Sequence, residues 1–344
     1  MDYGIVSKNR STIMGFAALW IFYFHTAPMI FQNVHIVNNI EWYLKRAGYT
    51  GVDIFMLLSS YGLYYYFSKK DRIDLIDYFK GRLKRILPGY ILALAVYTFI
   101  FWEGFNFFIE RLFFINQFGE NMYNFLWFVP CILVFYIFSP LYYSIFKRID
   151  NKLLLTILIS FIVCFLCRKY GYMVREDLYC IISRIPVFVL GFYMGYISKK
   201  EYKINAWGIV LAIAFIIFGV GVNYALNKGY KELYLPYENC FINIFTAWGI
   251  CVLISVICET FSNSIALGFI KKIFMFYGSI SFEFYCFQEM IDKYIKSSFI
   301  GEYMLMGRRY MIIIFIAVLI LSTLAALLVS KIENTALAKL EKES

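Results

Sequence analysis

The chain has 344 residues, 61% of them hydrophobic and only 16% charged, and its mean hydropathy is +0.66. That balance excludes a soluble globular protein, in which about a quarter of the residues are charged. The net charge of +10 is explained by membrane orientation, as follows, and gives no reason to invoke nucleic acid as a partner.

A hydrocarbon core needs about twenty apolar residues per helical span, and roughly ten such segments follow one another here. They run over 11–31, 50–67, 88–102, 124–146, 153–168, 180–198, 206–226, 239–260, 273–291 and 310–330. The expected fold is all-α, a polytopic membrane protein with about ten transmembrane helices in one bundle, filling residues 1–344 as a single domain. With the N-terminus inside, the cytoplasmic loops hold 20 Lys and Arg, the outer loops hold 12, and Arg184 lies within a span. The excess follows the positive-inside rule and places both termini in the cytoplasm of a multi-pass cell-membrane protein. The first segment is too long for the apolar part of a signal peptide, and no small-residue cleavage site follows it.

The first span reads MGFAALWIFYFHTAPMIF from Met14 to Phe31, with His25 inside it and Pro28 expected to bend or end it. Ionisable groups at such depth are rare and usually functional. Residues 32–49 read as an outer loop carrying a solvated His35. The chain re-enters at Gly51-Val52-Asp53. At about 1.5 Å per residue, an antiparallel hairpin brings His25 and Asp53 to nearly the same level. A carboxylate beside an imidazole fixes its tautomer and stabilises the imidazolium that forms when it takes a proton. Residues 71–87 read as an amphipathic cytoplasmic helix stopped by Pro88, with Arg82 and Arg85 on one face as a site for a polyanion. Positive-inside alone also explains these arginines. Farther on, Arg184 beside Pro186 is a structural anchor or a contact for substrate, and Glu283 and Glu289 are further buried carboxylates. The eight cysteines fall almost wholly in apolar spans, including a mid-helix Cys164-x-x-Cys167, and read as packing residues. Many of the thirty tyrosines and six tryptophans read as an interfacial belt.

Several of these pieces together resemble the acyltransferase-3 family of integral membrane acyltransferases. They are FAALWIFYFH (16–25), GVDIFMLLSSYGLYYYF (51–67), YFKGRLKRILPGYI (78–91), NFLWFVPCILVFYIFSPL (124–141), RIPVFVLGFYMG (184–195) and YGSISFEFYCFQE (277–289). The resemblance implies an enzyme that takes an acyl group, acetyl by default, from cytosolic acyl-CoA. No permanently bound cofactor is expected, since acyl-CoA is a co-substrate. The implied acceptor is a hydroxyl of a cell-surface or exported polysaccharide, and the partners are therefore membrane lipid, acyl-CoA and that glycan. By the same resemblance His25 is the essential catalytic residue, Asp53 matches the aspartate after it, and Arg82 and Arg85 match the basic pair before the proline. Neutral His25 then serves as general base, with an acyl-histidine as the variant route.

Three positions depart from the family pattern. Met14 stands where an arginine eleven residues before the histidine is usual, Ser59-Ser60 replaces Ser-Gly, and Gln288-Glu289 replaces His-Glu. Eleven residues return a helix to within about 20° of the same face, about 16 Å along the axis. Arg10, one turn further down, is therefore an imperfect stand-in for holding CoA. Two other readings remain: an exporter of a glycan or lipid-linked sugar, and a non-catalytic partner of a polysaccharide synthase. An exporter often shows matching halves with broken helices, and no internal repeat relates residues 1–170 to 171–344.

Overall fold

The computed structural model describes residues 1–26, 28, 35–114, 126–174, 176–227, 239–298 and 308–343. The fold is all-α, and among the described residues the only β-pairing is an isolated bridge between Asp2 and Lys203. Among the described residues seven helices are long and apolar enough to cross a membrane, or eight if one bent pair counts as a single span. That is fewer than the sequence suggests. In the first apolar segment the described helix, α2 (Arg10–Thr26), has 17 residues. In α4 (Thr50–Ser68) the apolar run is diluted by Asp53, Ser59, Ser60 and four tyrosines. The segment 273–291 is not one rod, because it breaks at Ile280 between two helices described below. The outer ends of two predicted spans, 29–31 and 124–125, lie outside the described residues.

The chain packs as two compact units, each built from three stretches of sequence. The first comprises Met1–Ala17, Ala47–Asp74 and Cys131–Gly278, and the second Ala18–Arg46, Leu75–Pro130 and Ser279–Ser344. The first unit holds α1 (Gly4–Lys8), the start of α2, and α4, with most of α7 (Phe128–Arg148). It also holds α8 (Lys152–Tyr170), α9 (Glu176–Ile182), α10 (Ile185–Lys199), α11 (Ala206–Asn227), α12 (Asn239–Thr260) and α13 (Ile265–Ser279) up to Gly278. Helix α4 packs on both α10 and α12, and α11 lies along α12. Close approach is achieved by small residues, the usual device where lipid removes any hydrophobic drive between helices. A Cβ on Gly191 would lie 1.9 Å from Ser60 Oγ and 2.3 Å from the Leu57 carbonyl, so the contact that a glycine at 60 would give is supplied from α10. Gly15 of α2 and Gly278 of α13 meet the same way, each lacking room for a single added carbon.

Several tyrosines read as interfacial are core residues of this unit. Tyr61 and Tyr64 are buried. The Tyr61 hydroxyl hydrogen-bonds Ser198 Oγ at 2.7 Å, and Phe67 packs on Tyr143 with ring centroids 5.2 Å apart. The basic loops of this unit share one side. Tyr3 donates its N–H to the Tyr202 carbonyl at 3.1 Å, Lys8 pairs with Glu259 at 2.5 Å, and Lys199 donates to the Ser68 carbonyl at 2.7 Å.

The second unit contains the end of α2, α3 (His35–Ala47), α5 (Leu75–Ile100), α6 (Phe105–Leu112), α14 (Ser281–Ser298) and α15 (Arg308–Glu343). Helix α14 packs on α5 and α15, which also touch each other. Two expectations change here. The supposed outer loop 32–49 contains the helix α3, joined to α2 by Trp20 Nε1 donating to the Leu44 carbonyl at 2.8 Å. The side chain of His35 lies outside the described residues. Pro88 does not stop its helix, because α5 continues to Ile100. An internal proline costs about 3 kcal/mol. Packing at the next residue offsets it: Gly89 lies against Glu333 of α15 and Phe282 of α14 so closely that a Cβ would meet them at 2.6 and 3.1 Å.

Glycine substitutions separate contact from propensity. Gly15→Ala places a carbon 1.7 Å from the Phe274 carbonyl oxygen and is expected to destabilise by about 1–3 kcal/mol, as overpacking does. Gly81, exposed in α5 with nothing within 4 Å of an added Cβ, should gain about 0.5–1 kcal/mol on Gly81→Ala. Thermal unfolding of the detergent-purified chain should rank Gly81→Ala at or above wild type and Gly15→Ala below it.

Candidate functional site

Two buried or half-enclosed polar centres stand out, one in each unit, and each is described within its own unit. In the first, Asp53 sits one turn into α4 and Arg184 immediately precedes α10. The chain breaks between α9 and α10 because Pro186 opens the new helix, where its missing N–H is harmless. This turns the Arg184 side chain into the core. Both side chains are 0% exposed, and Arg184 Nε lies 3.3 Å from Asp53 Oδ1. The guanidinium also donates to Ser183 Oγ at 3.0 Å and to the Tyr49 hydroxyl, with its plane 5.1 Å from the Tyr49 ring centre. On the other side of the carboxylate stands Asn243 of α12, whose side-chain carbonyl accepts from Asn223 of α11 at 3.0 Å. Neither Asp53 oxygen has a well-aligned hydrogen bond. The pair is therefore held by charge more than by hydrogen-bond geometry, and it joins α4, α10 and α12 at one level.

The second centre surrounds His25, on the last turn of α2. The described part of α2 runs to Thr26. His25 is exposed. Its ring touches Phe24 edge-on with centroids 4.8 Å apart, and within its unit neither ring nitrogen has a hydrogen-bond partner among the described residues. A histidine kept for structure is normally hydrogen-bonded through at least one nitrogen. The backbone carbonyl of His25, one of the last acceptors of α2, receives Lys296 Nζ of α14 at 3.3 Å. Lys296 in turn pairs with Asp292 at 2.6 Å. Lys45 of α3 adds a second cation bearing on the imidazole. Burial and the Lys296 ammonium together push the pKa of Lys45 below the usual lysine value. Tyr23 donates to Glu41 at 3.4 Å, so α2 and α3 are tied on both sides of this centre.

The remaining predicted residues are distributed as follows. Arg10 lies in the first unit with its guanidinium against Gly62, 3.2 Å from where a Cβ would stand. Arg82 and Arg85 lie in the second unit on α5, Arg82 half-buried over the Tyr78 ring at 5.6 Å and Arg85 exposed. Arg85 also bears on Glu283, which approaches Glu333, and Glu289 interacts with Lys293. His25 belongs to the second unit and Asp53 to the first, where Arg184 is its ion-pair partner. Residues that the sequence reading passed over are Tyr49 and Asn243 around the ion pair, and Lys45, Asp292 and Lys296 around His25. Only Asp292 and Lys296 leave a sequence trace, an i, i+4 acid–base pair close behind an apolar stretch.

The helices and these two ionisable centres define a polytopic membrane protein with chemistry-bearing residues set within or at the ends of its spans. More particularly, the chain belongs to the acyltransferase-3 family: the model of that acyltransferase domain matches residues 13–330, nearly the whole length. No curated protein and no solved structure matches it. The matched stretch takes in α2 from Ile13, both arginines of α5 and the first part of α15, and leaves out Arg10.

Breaking one side of a buried ion pair typically costs about 3–5 kcal/mol, while removing both charges together costs far less. Asp53→Asn and Arg184→Met should each lower the unfolding temperature sharply, and the double variant should recover a large part of that loss. Equal and additive losses would show that the two charges do not stabilise each other.

Proposed function

We propose that this membrane acyltransferase is an O-acyltransferase, moving an acetyl group from cytosolic acetyl-CoA to a hydroxyl of an extracytoplasmic or exported glycan, with His25 as general base. The observation that carries this reading, beside family membership, is the exposed imidazole at the end of α2 with both nitrogens unengaged within its unit. A general base must reach the proton it removes, and a ring already committed to packing does not. His25 takes the proton of the sugar hydroxyl as that oxygen attacks the thioester carbonyl. A C–O bond forms, the C–S bond breaks, and CoA leaves as the thiolate, which recovers a proton from the imidazolium. Lys296 holds the last turn of α2 by its carbonyl and so positions the ring.

The donor's phosphates are assigned to Arg82 and Arg85, three residues apart on α5, with Arg10 as a further cation where Met14 supplies none. Charge-dense arginines, Arg85 exposed and Arg82 half-buried, suit a ligand that arrives from water and leaves after each turnover. Arg184 is assigned as a structural anchor, because its guanidinium is fully buried on Asp53 and offers no face to an acceptor.

Incubating membranes with radiolabelled acetyl-CoA tests this. His25→Ala should abolish labelling of glycan. Arg82→Ala and Arg85→Ala should each raise KM for acetyl-CoA about tenfold, the effect of losing one charge-assisted contact, with less change in kcat. Undiminished labelling in His25→Ala would remove His25 from the mechanism.

A further inference from the structure

In the first unit a half-open groove of about 370 Å³ lies between the start of α2 and the facing sides of α12 and α13. Its α12 wall is Ile250, Ile254, Ile257 and Phe261, an i, i+4, i+7, i+11 stripe of the kind that ordinarily interlocks with a neighbouring helix. An alkyl chain fits the space, since a methylene fills slightly less than the ~30 Å³ of a liquid water, so the groove holds roughly a dozen. The outer face of α13 beside it is apolar and exposed, with Phe269 at 67% and Phe276 at 41%, as a surface in contact with lipid would be.

The lining is apolar apart from two hydroxyls, a thiol and one charge, Lys271. Among the described residues Lys271 makes no ion pair, and the exposed Lys272 follows it. Glu259, the acid at that end of α12, is already engaged by Lys8 at 2.5 Å and Asn9 at 2.9 Å. An apolar slot with a cation on its rim is complementary to an acyl chain carrying an anion at its head. We propose that this groove is a binding site for one acyl chain of an anionic phospholipid, its phosphate resting on Lys271. The lining includes none of the residues assigned to acyl transfer, and binding there stabilises the first unit by linkage.

The groove supplies its own probes. A Cβ on Gly268 meets nothing within 4 Å, so Gly268→Leu fills the slot without a clash, and Cys258 is a native thiol in its wall. The experiment measures thermal unfolding of the full chain in mild detergent with added phosphatidylglycerol or phosphatidylcholine, and the alkylation rate of Cys258 by peptide mass spectrometry. In wild type, phosphatidylglycerol should raise the unfolding temperature more than phosphatidylcholine and should slow Cys258 alkylation. Gly268→Leu, which without lipid should unfold at or above the wild-type temperature, should lose the response to phosphatidylglycerol. Lys271→Gln should weaken it about tenfold, to the level of the neutral lipid. Equal responses to the two lipids in wild type, or an undiminished response in Gly268→Leu, would overturn the proposal. So would displacement of phosphatidylglycerol by palmitoyl-CoA at lower concentration, which would make the occupant the chain of a thioester. The Cys258 readout in wild type decides the matter even if a variant fails to fold.

Discussion

The first unit depends on a charge pair placed where charges are expensive. Removing a carboxylate and a guanidinium from water costs several kcal/mol per ion even after relaxation, and only their attraction and the neighbouring dipoles repay it. Here the repayment comes from three helices at once: Asp53 from α4, Arg184 at the head of α10, and Asn243 on α12, with Tyr49 and Ser183 completing the guanidinium's contacts. A sliding motion of any of these helices would leave a buried charge uncompensated. The pair thus fixes register where apolar packing alone is permissive. The glycines of α10 serve the same end, since Gly191 and Gly195 let that helix approach α4 until backbone and Ser60 are in contact.

His25 occupies the opposite kind of environment. Asp53 is dry and charge-paired, whereas His25 is exposed at a helix end and its ring nitrogens are unengaged within its unit. The two titratable groups are set in different surroundings: one is tied into an ion pair where three helices meet, and the other stands exposed at the end of the described part of α2. The anchoring of α2 by Lys296 lets an exposed residue remain well placed, because its backbone is restrained while its side chain is not.

Much of this was legible in the chain. Apolar run length gives the class of fold, and the rarity of ionisable residues in such runs singles out His25, Asp53 and Arg184. What ran past the sequence was pairing and continuity. Asp53 and Arg184 are brought together by folding across more than a hundred residues, and nothing local to either names the other. Helix α3 was hidden because a short amphipathic segment between two spans has the same mean polarity as a loop. The continuation of α5 through Pro88 rests on Gly89 meeting α14 and α15, which is tertiary information. The break at Ile280 lies inside a stretch whose hydropathy alone reads as one span. The cluster of Lys45, Asp292 and Lys296 escaped because lysines near a span end are ordinary under the positive-inside rule.

The proposed transfer takes an acyl group from a carrier on the cytoplasmic side to a hydroxyl on the other. Sealed, inverted membrane vesicles enclosing the glycan test it, because acetyl-CoA added outside does not cross the bilayer. Labelled glycan should form inside the vesicles, protected from an esterase added outside until detergent opens them. Label confined to molecules on the outer surface, with an intact but unlabelled glycan within, would overturn the proposed transfer.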